Sequence, residues 1–224
     1  MINNSKISNP IYDELFKKRF KKKKNLKIIS KQTRDAKMLI FQDKISKIIF
    51  LQKYLRKIDY YKSLKDANKS KKDSSKKNSY TKTLKGTIES TRLDDTNRRL
   101  LQFNHLMKNK DVLDFGTGWG FFLSKLKNAR SVNAVEIRKN CISFIKKNFK
   151  KIEIKKNLNS FTQKFDVITM FHVLEHIPFQ VNTLRILKNK LNKNGKIIIE
   201  VPHAKDFLLG IDPLDEFKNF TLWS

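Results

Sequence analysis

Apolar and polar positions alternate differently on the two sides of residue 94. Beyond it, five short apolar runs that are typical of buried strands alternate with amphipathic stretches of helical periodicity. The predicted strands cover 110–115, 131–136, 151–154, 166–171 and 196–201, and the predicted helices cover 100–107, 119–128, 138–149 and 180–191. Because strands that alternate with helices imply right-handed crossovers, the pattern predicts an α/β domain with a mostly parallel sheet.

The first part of the chain is predicted to be a basic extension of this domain. Residues 36–61 carry apolar side chains every three or four positions, which predicts one amphipathic helix packed on the main domain. Residues 1–30 are polar and basic, and we expect little order there. Residues 62–88 are rich in Lys, Ser, Asn and Asp, and this composition predicts a flexible linker. We therefore place a partly helical extension and linker over 1–88 and the folded domain over 89–224.

Charge and cysteine content set limits on partners and location. The net charge of +29 raises the question of a nucleic-acid or anionic-membrane partner. The Lys residues are spread over every segment, so we favour solvated surface charge and expect any nucleic-acid binding to be weak and sensitive to salt. Cys141 is the single cysteine, which excludes an intrachain disulfide and fits a reducing cytoplasm. No apolar run in the sequence is long enough to span a bilayer.

A glycine-rich turn follows the first predicted strand of the domain. Gly116, Gly118 and Gly120 occupy alternate positions directly after the DVLDF segment. Glycine at such positions allows a tight turn and a close approach of a ligand to the backbone. The spacing differs from the G-x-G-x-x-G fingerprint of dinucleotide-binding domains. Taken alone, the turn fits a plain connection between a strand and a helix equally well.

An acidic residue at the end of the second predicted strand supports a ligand site. Glu136 lies about 20 residues after Gly116, where a carboxylate can accept hydrogen bonds from both hydroxyl groups of a ribose. Because parallel strands end at the same edge of a sheet, we expect Glu136 beside the glycine turn. These residues together predict a site for a nucleoside cofactor.

Four motifs in order, DVLDFGTGWG, AVEI, FDVITMFHVLEHIP and NGKIIIEVPH, resemble those of class I S-adenosylmethionine-dependent methyltransferases. Within that family the chain is most similar to a bacterial branch with an F-H-V-L-E-H segment, and the resemblance covers about residues 94–224. It implies a Rossmann-like sheet of seven strands with flanking helices, and S-adenosylmethionine as the cofactor at the carboxyl ends of the strands. It also implies that the three glycines lie under the methionine and ribose parts, that Asp114 lies near the methionine amino group, and that Glu136 binds the ribose.

The same resemblance assigns three further residues to the site. Family members often have an acid after the third strand that meets the adenine amino group, and Asn157 stands there in this chain. Its amide oxygen can accept the same hydrogen bond. Phe171 and His172 are implied to line the cofactor or acceptor side. His172 is a candidate general base for a hydroxyl acceptor, since a neutral imidazole can take up a proton near pH 7; the alternative is a histidine that only packs or forms hydrogen bonds.

The sequence therefore predicts a methyltransferase that aligns an O, N or C atom of a small-molecule acceptor with an activated methyl group. A second interpretation is a non-catalytic module that keeps the cofactor fold and holds a polyanion or a protein through its basic N-terminal half. A third is a zinc peptidase, because His172, Glu175 and His176 fit H-x-x-E-H. That motif directly follows a predicted strand, which places His172 in a turn rather than on the helix that chelation would require.

The resemblance also carries an expectation about the end of the chain. It implies two further strands after the fifth predicted one, which ends near Val201. The residues that follow are too few for a helix and two full strands. We therefore expect a domain that lacks its last strands and has residues 197–199 at an open edge of the sheet.

Overall fold

The computed structural model describes residues 7–17, 25–32, 37–53 and 94–202. These residues form two compact units. The first contains the described residues up to 53 together with 172–186 and 200–202, and the second contains 94–171 and 187–199. The predicted linker, the predicted boundary near residue 88 and the expected missing strands all fall on residues outside the described ranges, so they stay predictions.

The first unit is built on a small antiparallel sheet. In chain order it contains helix α1 (Pro10–Lys17) and strands β1 (Leu26–Gln32), β2 (Lys37–Asp43) and β3 (Ile49–Leu51). The strand order is β1-β2-β3, with Ile28 opposite Phe41 and Phe41 opposite Phe50. Tyr12 of α1 stacks on Phe50 with ring centroids 4.9 Å apart. An aromatic cluster therefore joins the helix to the sheet.

The helix predicted over residues 36–61 is wrong, because the described part of this segment forms the β2–β3 hairpin. Residues 38–51 are rich in β-branched and aromatic side chains, which favour strands, and short apolar runs do not separate helix from strand by periodicity alone. Asp43 closes the turn, since its carboxylate accepts hydrogen bonds from the Ser46 amide and hydroxyl at 2.7 and 2.6 Å. Lys47 completes the turn with a φ of 60°.

The expectation of little order near the N-terminus is wrong in part, because α1 and β1 lie there. Asn9 caps α1, with its side-chain oxygen accepting a hydrogen bond from the Ile11 amide at 3.0 Å. Glu14 of α1 accepts hydrogen bonds from the amides of Val181 and Asn182 at 2.8 and 3.0 Å. The N-terminal segment is therefore tied by charge-assisted bonds to a distant part of the sequence.

The elements after residue 94 confirm the predicted α/β architecture. They are α2 (94–107), β4 (Asp111–Phe115), α3 (Phe121–Ser124), β5 (Ser131–Val135), α4 (Lys139–Asn148), β6 (Ile152–Lys155), β7 (Phe165–Phe171), α5 (Gln180–Asn189) and β8 (Leu191–Glu200). The sheet has the order β6-β5-β4-β7-β8. β4 is parallel to both β5 and β7, and β5 is parallel to β6. The expected Rossmann-like, mostly parallel sheet with flanking helices is confirmed.

Three elements differ clearly in length from their predictions, and the first is α2, which begins at residue 94 instead of 100. α3 covers four of the residues predicted as a helix over 119–128, because the amides of Lys125 and Leu126 already bond three residues back, at 3.2 and 3.1 Å, and so tighten the last turn. β8 begins at Leu191, before the predicted Asn194–Gly195 turn. Asn194 keeps the positive φ of a turn, 64°, so the turn conformation survives as an irregularity within the strand.

The core of the second unit lies between the sheet and its helices. Val112, Ala134 and Val167 from three neighbouring strands share one buried cluster with Ile145 of α4 and Met107 of α2. This packing fixes the carboxyl ends of β4, β5 and β7 relative to one another. Within the described ranges, no helix has the length and apolar character needed to cross a membrane.

Candidate cofactor site

The glycine turn lies at the topological switch point of the sheet. β4 is paired with β5 on one side and with β7 on the other, and such a point opens a crevice at the carboxyl ends of the strands. Gly116, Gly118 and Gly120 all adopt the left-handed conformation, with φ of 83°, 61° and 77°. The Gly116 amide donates to the Val135 carbonyl at 2.8 Å, which folds the loop over the end of β5.

Gly120 has a packing role in addition to its conformation. A Cβ atom at this position would lie 2.9 Å from Cγ1 of Ile145 in α4. The Ile145 side chain of α4 therefore lies so close to the loop that it would have to shift to make room for any larger residue at position 120. Of the three glycines predicted to lie under the cofactor, Gly120 is the one for which packing inside the protein already accounts for the residue type.

Glu136 is the most heavily hydrogen-bonded side chain of this region. It is buried, and its Oε2 accepts from the Gly118 amide at 2.8 Å. Its Oε1 accepts from the amides of Ile137 and Arg138, both at 2.9 Å. The Arg138 guanidinium completes the set, with Nε 3.2 Å from Oε1 and Nη2 3.0 Å from Oε2. The hydrogen bond from the Gly118 amide thus places Glu136 beside the glycine turn, as the sequence predicted.

Asp114 is buried one residue before the end of β4. Burial raises the pKa of its carboxyl to about 6, against the lowering effect of hydrogen bonding by Thr169, whose hydroxyl donates to Oδ1 at 2.7 Å. The positive charge of Arg99 also lowers this pKa, but less than burial raises it. An ionised Asp114 is therefore incompletely compensated, and a bound cation beside it would be favoured.

Phe171 and Arg99 form a pair that the sequence pattern did not predict. Phe171 ends β7, and the Arg99 guanidinium carbon lies 4.7 Å from the centre of its ring. The same ring stacks on Phe103 at 6.2 Å and meets Phe122 edge-on at 5.0 Å. Phe171 is thus packed into the protein and supports Arg99. Nothing in the sequence distinguishes Arg99 from the other basic residues of α2, since its role depends on the strands that α2 covers.

Asn157 is exposed two residues after the end of β6. It caps a short 3₁₀ helix, Leu158–Ser160, and its Oδ1 accepts a hydrogen bond from the Asn159 amide at 3.1 Å. A carbonyl oxygen has a second acceptor position, so the predicted contact with an adenine amino group is compatible with this capping role.

His172 lies in the first unit, within a cluster of charged side chains. Its backbone has a φ of 53°, which is unusual for a residue other than glycine. Its Nε2 lies 3.0 Å from Oε1 of Glu200, and its Nδ1 lies 3.4 Å from Oε1 of Glu175. Both ring nitrogens of His172 therefore face carboxylate oxygens.

The H-x-x-E-H motif lacks the geometry of a zinc peptidase. Leu174–His176 is a 3₁₀ helix of three residues, so His172 and His176 are not placed on one face of an α-helix. In the described part of the chain, no group of three or more His, Cys, Asp or Glu residues is arranged to hold a metal ion.

A family model described as a methyltransferase domain matches residues 88–223. This match covers more than half of the chain, and the chain therefore belongs to this methyltransferase family. The resemblance to class I S-adenosylmethionine-dependent methyltransferases is confirmed, and S-adenosylmethionine is the cofactor of that class.

Two curated relatives share part of the sequence. The tRNA U34 carboxymethyltransferase of Campylobacter fetus subsp. fetus is 27% identical over an aligned length of 128 residues, and the match covers 50% of this chain and 45% of the relative. The mitochondrial ubiquinone biosynthesis O-methyltransferase of Saccharomyces cerevisiae is 33% identical over an aligned length of 98 residues, and the match covers 39% of this chain and 31% of the relative. The chain spans less than half the length of either one. Among solved structures, the DhpI–SAM–HEP complex is 17% identical, with 70% of each chain covered and a TM-score of 0.46.

Proposed function

We propose that this chain is an S-adenosylmethionine-dependent methyltransferase that binds its cofactor at the carboxyl ends of β4 and β5. The observation that carries the proposal is the hydrogen bond from the Gly118 amide to Glu136 at the switch point, with Asp114 buried in the adjoining strand. Membership of the methyltransferase family supports the same conclusion.

The residues of the second unit fit the parts of this cofactor. Glu136 offers carboxylate oxygens to the ribose hydroxyls, and Asp114 offers a buried negative charge to the α-ammonium group. Arg99, whose charge acts on Asp114, suits the α-carboxylate. Asn157 is the candidate for the adenine amino group. The left-handed glycines Gly116 and Gly118 let the backbone approach the ligand without a side chain in between.

The chemistry divides between the cofactor and the protein. When bound, S-adenosylmethionine supplies a methyl group activated by its sulfonium sulfur, and transfer to a nucleophilic O, N or C atom leaves S-adenosylhomocysteine. The protein positions the acceptor atom in line with that group and excludes competing water. An acceptor that loses a proton gives it to a base or to solvent. We keep His172 as the candidate base; its two ring nitrogens face the carboxylates of Glu175 and Glu200.

The acceptor is proposed to be a small molecule, and one experiment tests binding and turnover together. Calorimetry with S-adenosylhomocysteine measures cofactor binding, and methyl-labelled S-adenosylmethionine with a panel of phenols, amines and carboxylic acids measures transfer. Binding together with transfer to one class is the expected result. Binding without transfer to any acceptor would favour the non-catalytic module, and the lack of any binding would overturn the proposal.

A tRNA acceptor is the second candidate. The net charge of +29 and the similarity to a tRNA U34 carboxymethyltransferase favour it. Labelled transfer to bulk tRNA, measured at low and at physiological salt, separates it from the first candidate. Transfer that persists at physiological salt would favour tRNA, whereas binding that disappears with added salt and gives no product would favour a small molecule.

A further inference from the structure

Glu136 accepts hydrogen bonds from more donors than its two carboxylate oxygens have lone-pair positions. Its two oxygens offer about four lone-pair positions. Three backbone amides and two guanidinium nitrogens already donate to them. A ribose diol would bring two further donors to the same oxygens. Binding of a nucleoside at Glu136 therefore requires that some of the present donors leave.

The three amides cannot leave without rebuilding the backbone. Two of them belong to Ile137 and Arg138, which follow Glu136 directly in the chain, and the third belongs to Gly118 in the left-handed loop. The Arg138 side chain differs in this respect. It is 27% exposed and is joined to the backbone by a flexible stem, whereas the Glu136 side chain is 5% exposed. The guanidinium is the donor group that can move into solvent.

We propose that the Arg138 guanidinium is an internal substitute for the ribose diol, and that nucleoside binding displaces it from Glu136. The two groups have the same relevant chemistry, since Nε and Nη2 present two adjacent N–H donors to the two oxygens, as a pair of vicinal hydroxyls does. Arg138 keeps the buried carboxylate satisfied when no ligand is present, and it lowers the affinity for the nucleoside. This inference rests on the proposed cofactor site and assigns a new role within it.

Calorimetry with S-adenosylhomocysteine on Arg138→Ala and Arg138→Gln tests the displacement. Because the ligand no longer has to break a charge-assisted pair that is partly screened by solvent, we expect affinity to rise about tenfold in Arg138→Ala. A smaller rise is expected in Arg138→Gln, which keeps one donor nitrogen on a shorter side chain. Arg130→Ala is the matched control, since it removes an arginine that pairs with Asp111 and Asp166 at the opposite ends of the strands. Melting curves without ligand check that each variant is folded.

A second measurement isolates the ribose. We expect the affinity ratio of adenosine to 2′,3′-dideoxyadenosine to increase about tenfold in Arg138→Ala, because each hydroxyl then fills a vacated acceptor position instead of replacing a guanidinium bond. An unchanged ratio, or weaker S-adenosylhomocysteine binding in a folded variant, would overturn the inference while leaving the proposed function intact. If the unsubstituted chain binds neither S-adenosylhomocysteine nor adenosine, the proposed cofactor site itself fails.

Discussion

The two ends of strand β4 use the same residue type in opposite ways. Asp111 at the amino end accepts hydrogen bonds from Arg130 at 3.0 and 2.6 Å, and these bonds hold the pKa of its carboxyl below the usual value. Asp166, at the amino end of the neighbouring β7, has its pKa lowered chiefly by a hydrogen bond from the Asp111 amide. Near the carboxyl end of β4, burial raises the pKa of Asp114 to about 6.

This difference separates a region that stabilises the fold from one prepared for a ligand. At the amino end the carboxylates are matched by the Arg130 guanidinium, by the Asp111 amide and by the Asn192 side chain, which donates to Asp166 at 2.9 Å. At the carboxyl end Asp114 accepts a hydrogen bond from the Thr169 hydroxyl, but the desolvation penalty of its ionised form is larger than the stabilisation that its neighbours supply. Perturbed carboxylates of this kind cluster at functional sites. The two kinds of region are therefore only three residues apart on β4, since Asp111 belongs to the scaffold and Asp114 to the candidate site.

The largest expected effect breaks the carboxyl-end site. Glu136→Ala removes the acceptor of the ribose hydroxyls, and we expect S-adenosylhomocysteine binding to weaken by roughly 2–4 kcal/mol. Calorimetry measures the change, with Glu136→Gln as the variant that keeps the shape and one acceptor oxygen. Unchanged affinity in a folded Glu136→Ala protein would remove this residue from the site.

Asp114→Asn is expected to stabilise the fold and to weaken cofactor binding. The folded-state pKa of about 6 lies above the unfolded value of 3.8, so wild-type stability is fully present below about pH 4 and falls as the pH rises through 6. The uncharged amide avoids this loss, which amounts to about 2–3 kcal/mol at pH 8. Urea unfolding of both proteins at pH 4 and pH 8 measures it. If the difference in unfolding free energy between Asp114→Asn and wild type is the same at pH 4 and at pH 8, burial does not raise the pKa of Asp114 in the folded protein.

Gly120→Ala tests whether the glycine loop is held by packing. The left-handed backbone and the 2.9 Å approach to Ile145 predict a loss of roughly 1–3 kcal/mol in unfolding free energy. Ile145→Ala removes both the Cγ1 and the Cδ1 atom that the new methyl group meets, so Gly120→Ala should cost less in that background. Chemical denaturation of the four proteins gives the coupling between the two positions. Strictly additive effects would show that backbone strain alone accounts for the loss.

The smallest effect is expected at the amino end. Asp111→Asn weakens the partly exposed network with Arg130 and should cost at most about 1 kcal/mol at neutral pH in low salt. Because its pKa is lowered in the folded state, Asp111 contributes stability at pH values above the usual aspartate pKa. This contribution is lost as the pH falls through the folded-state pKa. Urea unfolding at two salt concentrations checks this, because added salt should shrink the difference. Weaker S-adenosylhomocysteine binding in this variant would contradict the separation of the two ends.

Local signals predicted the site residues that act close to their own position in the chain. The left-handed glycines and Glu136 at the end of β5 could be located because a strand followed by a tight turn constrains its residues directly. Arg138 lies only two residues after Glu136 in the sequence, but the pattern of residues did not predict that the two side chains form an ion pair. Arg99 and Thr169 carried none, because each meets Asp114 from a different element of the second unit.

The N-terminal segment shows where apolar spacing fails. Residues 38–51 fit a helix by periodicity, but the turn bonds of Asp43 and the burial of Ile40 and Phe41 settle the segment as a hairpin. Periodicity records which positions are apolar, whereas pairing with β1 depends on residues elsewhere in the chain.

The sequence by itself determined the alternation of strands and helices after residue 94, the glycine turn and the family, because hydrophobic period and turn chemistry are properties of short segments. Tertiary structure alone decided the electrostatics of the site. The same aspartate has its pKa lowered at Asp111 and raised at Asp114, since one lies beside Arg130 near solvent and the other is sealed between strands. Desolvation and charge pairing depend on which atoms surround a carboxylate, and those neighbours are brought together only when the sheet forms.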